Sequence, residues 1–143
     1  MKIFEVDYRA EKLTNRLLNI WEQSVRATHL FLLEKEIIQI KKYVPQALNG
    51  VEHLVIAENE KSDSIGFMGV ENRRLEMLFI SPEQRGKGIG KKLIQYGIEN
   101  YKINEVTVNE QNPQAVGFYQ HVGLKHIKEP IWTKRVILIH FYI

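Results

Sequence analysis

The residues that point most directly to chemistry form a glycine-rich turn over residues 85–92, with the sequence RGKGIGKK. Apolar residues with helical spacing follow, so three glycines fall in the first turn of a predicted helix. Each glycine costs about 1 kcal/mol relative to alanine inside a helix. Backbone N–H groups that no side chain covers can bind an anion, usually a phosphate, at a helix N-terminus. The turn therefore predicts a phosphate-binding site; the alternative is a flexible loop with a solvated basic face.

Two common phosphate-binding motifs fit this turn poorly. A Walker loop needs Gly-Lys followed by Ser or Thr, whereas Gly90 and Lys91 are followed by Lys92, so the hydroxyl that binds magnesium is missing. A dinucleotide fingerprint has the pattern G-x-G-x-x-G, but the third glycine comes one residue early, at Gly90. The acidic residue expected about 20 positions later would be Glu105, which begins a predicted strand instead of ending it. Nucleotide hydrolysis and dinucleotide binding are therefore disfavoured.

The composition excludes other kinds of chemistry. The 143 residues include no cysteine, so a disulfide scaffold, a thiolate metal site and a cysteine nucleophile are impossible. The five histidines form no HExxH or H-x-H arrangement, so we expect no metal. The net charge of +3 weakly favours anionic ligands but is too small to indicate nucleic-acid binding. The longest apolar run covers only residues 136–143, whereas a membrane helix needs about 20, and the first residues lack a signal-peptide core, so we expect a cytoplasmic protein.

The rest of the chain supplies the elements that must position the turn. Alternating and β-branched stretches predict strands over residues 2–6, 53–57, 64–71, 75–80, 103–108, 125–129 and 135–142. Helical spacing predicts helices from about residue 10, over 33–44, over 89–101 and from 112 to 123. We expect Pro45 and Gly50 to break the second helix. The length fits one domain over residues 1–143.

The order of these elements predicts the fold class. The three strands over 53–80 indicate an antiparallel meander. A strand–helix–strand crossover then makes strands 75–80 and 103–108 parallel. We therefore expect an α/β (α+β) fold with a mixed, mostly antiparallel central sheet and one parallel strand pair. Regular alternation along 75–80 predicts one face with Leu75, Met77 and Phe79, and an opposite face with Glu76, Leu78 and Ile80.

Two spaced motifs carry a resemblance to a known family. The pattern R-x-x-G-x-G is matched by Arg85, Gly88 and Gly90, directly after the strand LEMLFISP. A second block, VNEQNPQAVGFYQHVGL over residues 108–124, is similar to the pattern N-x-x-A-x-x-F/L-Y-x-x-x-G-F, with Asn112, Ala115, Phe118, Tyr119 and Gly123 in place. Leu124 stands where phenylalanine is usual. The combination resembles the GNAT superfamily of N-acetyltransferases, in particular its small bacterial single-domain members.

The resemblance implies where acetyl-CoA, the co-substrate of that family, would bind. The sheet would have helices on both faces, and its parallel strand pair would splay apart around the ligand. The pantetheine arm would pair with the backbone of Leu78, Phe79 and Ile80, as an added strand does. The pyrophosphate would lie on backbone N–H groups of Arg85, Gly86, Lys87, Gly88, Ile89 and Gly90. The side chain of Asn112 would bind the pantetheine or phosphate arm; the alternative is a plain helix N-cap.

The same resemblance suggests catalytic residues for direct transfer of acetyl to a primary amine, without a covalent enzyme intermediate. Tyr119 lies two helical turns after Asn112 and is our candidate acid for the leaving thiolate; otherwise it is a core tyrosine. Glu76 is the candidate base, and its alternative is a cross-strand ion pair with arginine or lysine. A backbone N–H near Leu78 would stabilise the oxyanion.

The acceptor is expected near the break between the first two helices. The candidate substrate-binding residues are His29, Trp21, Arg26, Phe31 and Asn109, although a histidine or tryptophan there can equally be a packing residue. The acceptor amine could belong to a small molecule, a peptide or a protein. Two rival functions stay open: a non-catalytic acyl-CoA sensor on the same fold and, less favoured, a basic nucleic-acid-binding module. We expect a monomer or a homodimer paired through the apolar last strand, and no membrane partner.

Overall fold

A computed structural model describes residues 1–28, 33–109 and 113–129 of the chain. Its helices and strands are, in chain order, β1 (Lys2–Glu5), α1 (Glu11–Thr28), α2 (Glu34–Lys41), α3 (Val44–Gly50), β2 (His53–Glu58), β3 (Ser64–Glu71), β4 (Arg74–Ile80), α4 (Ile89–Tyr101), β5 (Glu105–Asn109), α5 (Pro113–His121) and β6 (Lys125–Glu129). A short 3₁₀ turn, Pro82–Gln84, joins β4 to the glycine-rich turn. The predicted strand over 135–142 lies outside the described residues.

The strands form one mixed sheet in the order β1-β2-β3-β4-β5-β6. The strands β2 to β4 pair antiparallel, as the meander predicts, and β4 pairs parallel to β5, as the crossover predicts. The strand β1 pairs antiparallel to β2. The predicted fold class is therefore confirmed. The sequence reasoning did not anticipate that β5 also pairs parallel to β6. This second parallel pair arises because β5, α5 and β6 form another strand–helix–strand unit.

Helices cover both faces of the sheet, and each face has its own core. One core packs α1, α2 and α3 against the sheet through buried residues that include Leu17, Ile37, Leu48, Phe67 and Phe79. The other core packs α4 and the end of α5 against the opposite face through residues that include Met68, Leu78, Leu93, Ile94 and Tyr119. Within the described ranges, no helix has both the length and the apolar composition needed to span a membrane.

The second predicted helix is divided in the structure. The sequence predicted one helix over residues 33–44 that Pro45 ends, whereas α2 stops at Lys41 and α3 begins at Val44. Pro45 occupies the first turn of α3, where its missing N–H would have no intrahelical acceptor in any case. Proline therefore begins a helix here, and this short helix forms one wall of the cleft described below.

A β-bulge in β4 overturns the predicted face of Glu76. Val70 of β3 pairs with Leu75, but its neighbour Gly69 pairs with Met77. Glu76 is therefore an extra residue of β4 that has no partner in β3. A bulge resets the alternation of side chains. Leu75 consequently packs in the same core as Leu78, whereas Met77 packs in the core of α1–α3. The predicted grouping of Glu76 with Leu78 and Ile80 was therefore wrong.

A hydrogen-bonded cluster fastens the edge strand β1 to β2 and α4. The Glu5 carboxylate lies 2.9 Å from His53 Nδ1 and accepts a 2.5 Å hydrogen bond from the Tyr101 hydroxyl. The His53 ring stacks on Tyr101 with ring centroids 4.0 Å apart. Burial alone would raise the pKa of Glu5, but the hydrogen bonds from Tyr101 and His53 outweigh it and hold the pKa below 4.5. The cluster therefore favours the ionised carboxylate in the folded state.

Candidate active site

A gap opens between the parallel strands β4 and β5. These strands pair at two positions, Arg74 with Glu105 and Leu75 with Val106, and no later pair joins their described residues. The paired end is fastened by a charge-assisted hydrogen bond of 2.6 Å from Arg74 Nε to Glu105 Oε1. Beyond Leu75, β4 therefore has an edge that faces the gap without a neighbouring strand.

The backbone of β4 alternates between its partner strand and this gap. The Ser81 N–H donates to the Ile65 carbonyl of β3 over 2.9 Å. Because successive residues in a strand direct their N–H and C=O groups to opposite edges, Ile80 and Leu78 direct theirs to the gap. The Ile80 carbonyl accepts a 2.7 Å hydrogen bond from the Ser24 hydroxyl of α1. Of the three predicted contact residues, Phe79 thus directs its backbone groups to β3 and not to the gap.

The glycine-rich turn lies at the end of β4, where the gap is open. Gly86 and Gly88 have φ angles of +78° and +79°, in the left-handed region that favours glycine, and Gly88 is the N-cap residue of α4. The N–H of Lys92 donates to the Gly88 carbonyl over 3.1 Å and closes the first helical turn. The backbone N–H groups before Lys92, such as that of Gly90, have no acceptor within an α-helix. They are available to an anion at the mouth of the gap.

Two basic side chains of the turn are held by the preceding 3₁₀ turn. Arg85 Nε donates to the Pro82 carbonyl over 3.2 Å, and Lys87 Nζ donates to Gln84 Oε1 over 3.1 Å. Both basic residues are exposed, so they add positive potential around the turn without filling it.

An open cleft lies on the face of β4 that carries α1–α3. Its volume is about 660 Å³, and its lining residues are Tyr43, Gln46, Ala47, Gly50, Val51, Glu71, Glu76 and Met77. The bulge places Glu76 in this cleft beside Met77. The described lining contains two carboxylates and no lysine, arginine or histidine, so the cleft is complementary to a cation. Sequence reasoning missed its α3 wall; the signal that could have revealed it is a proline suited to a first helical turn at position 45.

Several known proteins are similar to this chain in sequence. Residues 32–142 match the protein family described as the acetyltransferase (GNAT) domain. The peptidyl-lysine N-acetyltransferase YjaB of Salmonella typhimurium is 37% identical over 110 residues, which are 77% of this chain and 75% of that protein. The chain belongs to the GNAT family of acetyltransferases.

Solved structures agree with this assignment. The solution structure of the apo form of YjaB from Escherichia coli has a TM-score of 0.72 and 35% sequence identity, and the match covers 85% of this chain and 82% of that one. The PaiA N-acetyltransferase of Thermoplasma acidophilum, crystallised with coenzyme A, has a TM-score of 0.65 at 22% identity, over 85% of this chain and 88% of that one, and so supports the fold alone. The predicted family and N-acetyltransferase activity are therefore confirmed.

Tyr119 of this GNAT domain is fully buried in the core formed with α4. Its ring packs edge-on against Phe118, with centroids 5.4 Å apart. Burial raises the pKa of the Tyr119 phenol well above its usual range. The hydroxyl therefore stays protonated at neutral pH and can donate a hydrogen bond, whereas complete transfer of its proton would leave a desolvated phenolate.

Two of the predicted acceptor residues, Trp21 and Arg26, lie on α1. Trp21 is fully buried in the core of α1–α3, and its indole N–H has no hydrogen-bond partner among the described residues. Arg26 is exposed, lies 2.9 Å from a carboxylate oxygen of both Glu22 and Glu34, and has a pKa raised by Glu34 and Glu22, in that order of strength. Neither residue lines the cleft of Glu76, and their predicted role in binding the acceptor stays a prediction.

Three further predicted residues, His29, Phe31 and Asn112, lie outside the described residues. Asn109 is the last residue of β5, and so its backbone borders the open end of the gap. Within the described ranges, no group of three or more histidine, aspartate or glutamate side chains is arranged to hold a metal ion.

Proposed function

We propose that this enzyme transfers the acetyl group of acetyl-CoA to the side-chain amine of lysine residues in peptides or proteins. The observation that carries the proposal is the meeting of two openings at β4: the gap beside β5 and the acidic cleft beside α3. Relatives named as peptidyl-lysine N-acetyltransferases at 37% identity support a lysine acceptor. The openness of the cleft favours a side chain presented by a larger molecule.

The donor side fits acetyl-CoA. The edge of β4 offers the N–H and C=O groups of Leu78 and the N–H of Ile80 to an extended chain, which suits the amides of a pantetheine arm. The glycine-rich turn offers backbone N–H groups and a helix N-terminus to the pyrophosphate. Arg85, Gly86, Lys87, Gly88, Ile89 and Gly90 form this surface. Asn112 and Tyr119 complete the proposed donor site.

The acceptor side supplies a carboxylate for the proton that the amine must lose. A lysine amine has a pKa near 10.4, so its neutral form costs about 4.6 kcal/mol at pH 7. Glu76 would first bind the ammonium and then take its proton, directly or through a water molecule, as the nitrogen attacks the thioester carbon.

The remaining groups would stabilise charge as it develops. The Leu78 N–H would donate a hydrogen bond to the carbonyl oxygen, which gains negative charge during the attack. The carbon–sulfur bond then breaks, and the Tyr119 hydroxyl would donate a hydrogen bond to the departing sulfur. A proton from the attacking amine finally reaches the thiolate through solvent or through these groups. No covalent intermediate with the enzyme is required.

The proposal is tested by following release of the free thiol of CoA with a thiol-reactive dye. Because the chain has no cysteine, the enzyme itself does not react with the dye. The substrate is an Nα-acetylated peptide with one lysine, and the control peptide carries Nε-acetyllysine instead. We expect release of the CoA thiol only with the first peptide. We also expect the mass of that peptide to increase by one acetyl group. Absence of lysine acetylation across a panel of such peptides would refute the proposal.

Two variants distinguish loss of the proposed base from a nonspecific loss of activity. We expect Glu76→Gln to lower kcat on the order of a hundredfold. The matched control is Glu99→Gln near the end of α4, which removes an equally negative, exposed side chain away from the cleft and from the glycine-rich turn and should leave kcat unchanged. Equal losses in both variants would contradict the role of Glu76.

A further inference from the structure

A second carboxylate, that of Glu71, lies in the acceptor cleft with Glu76. Glu71 is the last residue of β3 and stands opposite Arg74 in the register of the hairpin. Its neighbour Val70 packs into the core on the other face of the sheet, so alternation directs Glu71 to the side of α3. Two negative charges from adjacent strands therefore face the same cleft.

No described residue neutralises Glu71 by an ion pair. Ion pairs with arginine or lysine engage Glu22, Glu34 and Glu105, and none of these pairs includes Glu71. The residue opposite Glu71, Arg74, directs its guanidinium to Glu105. Glu71 is also exposed, so it is accessible to a charge carried by a bound peptide.

We propose that Glu71 is a specificity-determining residue, which selects acceptor lysines that have a second positive charge two positions away. The inference rests on the proposed function, because it takes Glu76 as the partner of the reacting amine. Glu71 is then left to bind a neighbouring arginine or lysine side chain.

The spacing of the two carboxylates suits this peptide. Adjacent strands are about 4.8 Å apart and each strand residue advances about 3.3 Å, so the Cα atoms of Glu71 and Glu76 are separated by roughly 8 Å. In an extended peptide, side chains two positions apart on the same face are about 7 Å apart. One peptide strand can therefore present a lysine to Glu76 and a second cation to Glu71.

The size of the effect follows from the exposure of Glu71. A solvent-exposed ion pair changes binding by up to about fivefold, and salt weakens it. An acidic residue in place of the second cation would instead be repelled. We therefore expect selectivity of several-fold in kcat/KM and not an absolute requirement.

The test uses three Nα-acetylated peptides with a single lysine, identical except at the positions two residues before and after it. These positions carry arginine, its uncharged analogue citrulline, or glutamate. Thiol release from acetyl-CoA gives kcat/KM for each peptide at low salt and at 0.5 M salt, the latter reducing the screening length to roughly 4 Å. We expect the arginine peptide to exceed the citrulline peptide by about threefold to fivefold at low salt, with a smaller ratio at high salt.

Variants of Glu71 show whether this residue recognises the second positive charge of the peptide. We expect Glu71→Gln to bring the arginine-to-citrulline ratio close to one, and Glu71→Lys to make the glutamate peptide better than the arginine peptide. Glu99→Gln, which removes an exposed carboxylate near the end of α4, should keep the ratio of the parent enzyme. Thermal denaturation of each variant verifies that it is folded.

The outcomes distinguish this inference from the proposed function. If no peptide is acetylated, the proposed function fails and the inference fails with it. If the peptides are acetylated with equal kcat/KM, or if Glu71→Gln keeps the full ratio, a lysine acetyltransferase remains and only the role of Glu71 is refuted. Even if a variant of Glu71 does not fold, comparing the three peptides on the parent enzyme shows whether a second positive charge raises kcat/KM.

Discussion

Gly88 provides the sharpest test of the donor site. This residue is the N-cap of α4, its φ is +79°, and an added Cβ would meet no heavy atom within 4 Å. Gly88→Ala should therefore strain the backbone without disturbing a packed core. If the pyrophosphate lies against the bare backbone of the turn, the added methyl group must also obstruct the phosphate oxygens.

Gly123 offers a matched control on the other side of the fold. Its φ is +85°, and an added Cβ there also meets nothing within 4 Å. It follows the last turn of α5 and precedes β6, away from the N-terminus of α4. Gly123→Ala should cause the same backbone strain as Gly88→Ala without touching the proposed phosphate site.

The expected shifts in Tm follow from the size of the chain. The entropy of unfolding is about 2.1 cal/mol/K per residue, or about 0.3 kcal/mol/K for 143 residues. A non-glycine residue in the left-handed region costs roughly 1–2 kcal/mol, so each variant should lose about 3–7 °C without ligand. Acetyl-CoA at 100 times its Kd contributes about 2.7 kcal/mol, which raises Tm by about 9 °C.

Thermal denaturation followed by circular dichroism, with and without millimolar acetyl-CoA, measures both effects. The parent enzyme and Gly123→Ala should show the full rise in Tm with ligand, and Gly88→Ala should show little of it. A full rise in Gly88→Ala would refute the phosphate site at this turn. No rise in the parent enzyme would refute acetyl-CoA binding at the gap altogether.

Three further predictions concern the leaving group, the edge strand and the cleft. Tyr119→Phe should keep the acetyl-CoA-induced rise in Tm but lower kcat in the thiol-release assay; an unchanged kcat would exclude Tyr119 as the donor to sulfur. Because the pKa of Glu5 is lower in the folded state, its stabilisation is present above pH 4.5 and is lost as pH falls. Tyr101→Phe should thus flatten the loss of stability between about pH 5 and 3 in urea unfolding; a curve parallel to that of the parent would contradict this. A Cβ at Gly69 would lie 2.6 Å from Met77 Cε, the flexible end of a side chain that lines the cleft. Gly69→Ala should therefore shift the Met77 side chain with little change in Tm and raise KM for the peptide more than for acetyl-CoA; equal changes in both KM values would contradict a separate acceptor cleft.

Most of the fold is predictable from the sequence because local periodicity and chain order determine it. Period-two alternation marks the meander strands, and the crossover of β4, α4 and β5 leaves little choice about strand direction. The division of α2 from α3 was missed because Pro45 can either end one helix or begin the next. Which of these occurs depends on packing against the sheet, and not on the local sequence.

The candidate site is predictable where backbone conformation dictates residue type. Glycines with positive φ reveal the turn, because other residues are strained there. The sequence left open whether Trp21 lines the acceptor site or packs in the core, because its spacing from Leu17 and Val25 is also that of a core residue. The structure buries Trp21 in the core of α1–α3. The face of Glu76 was not predictable because a bulge depends on how β3 and β4 pair, which no pattern within one strand records.

Under the proposed function, the bulge at Glu76 lets one strand contact both substrates. In a regular β4, alternation would direct Glu76 into the apolar core that holds Leu78 and Ile80, where an ionised carboxylate is costly. The extra residue instead places Glu76 in the cleft beside α3, while the backbone of Leu78, two residues later, still faces the gap. These positions are about 7 Å apart along the strand. Under the proposed function, an amine held at Glu76 and a thioester held at Leu78 would meet across β4. Direct transfer in a ternary complex needs this geometry, and a chain without a cysteine nucleophile cannot form a cysteine thioester intermediate instead.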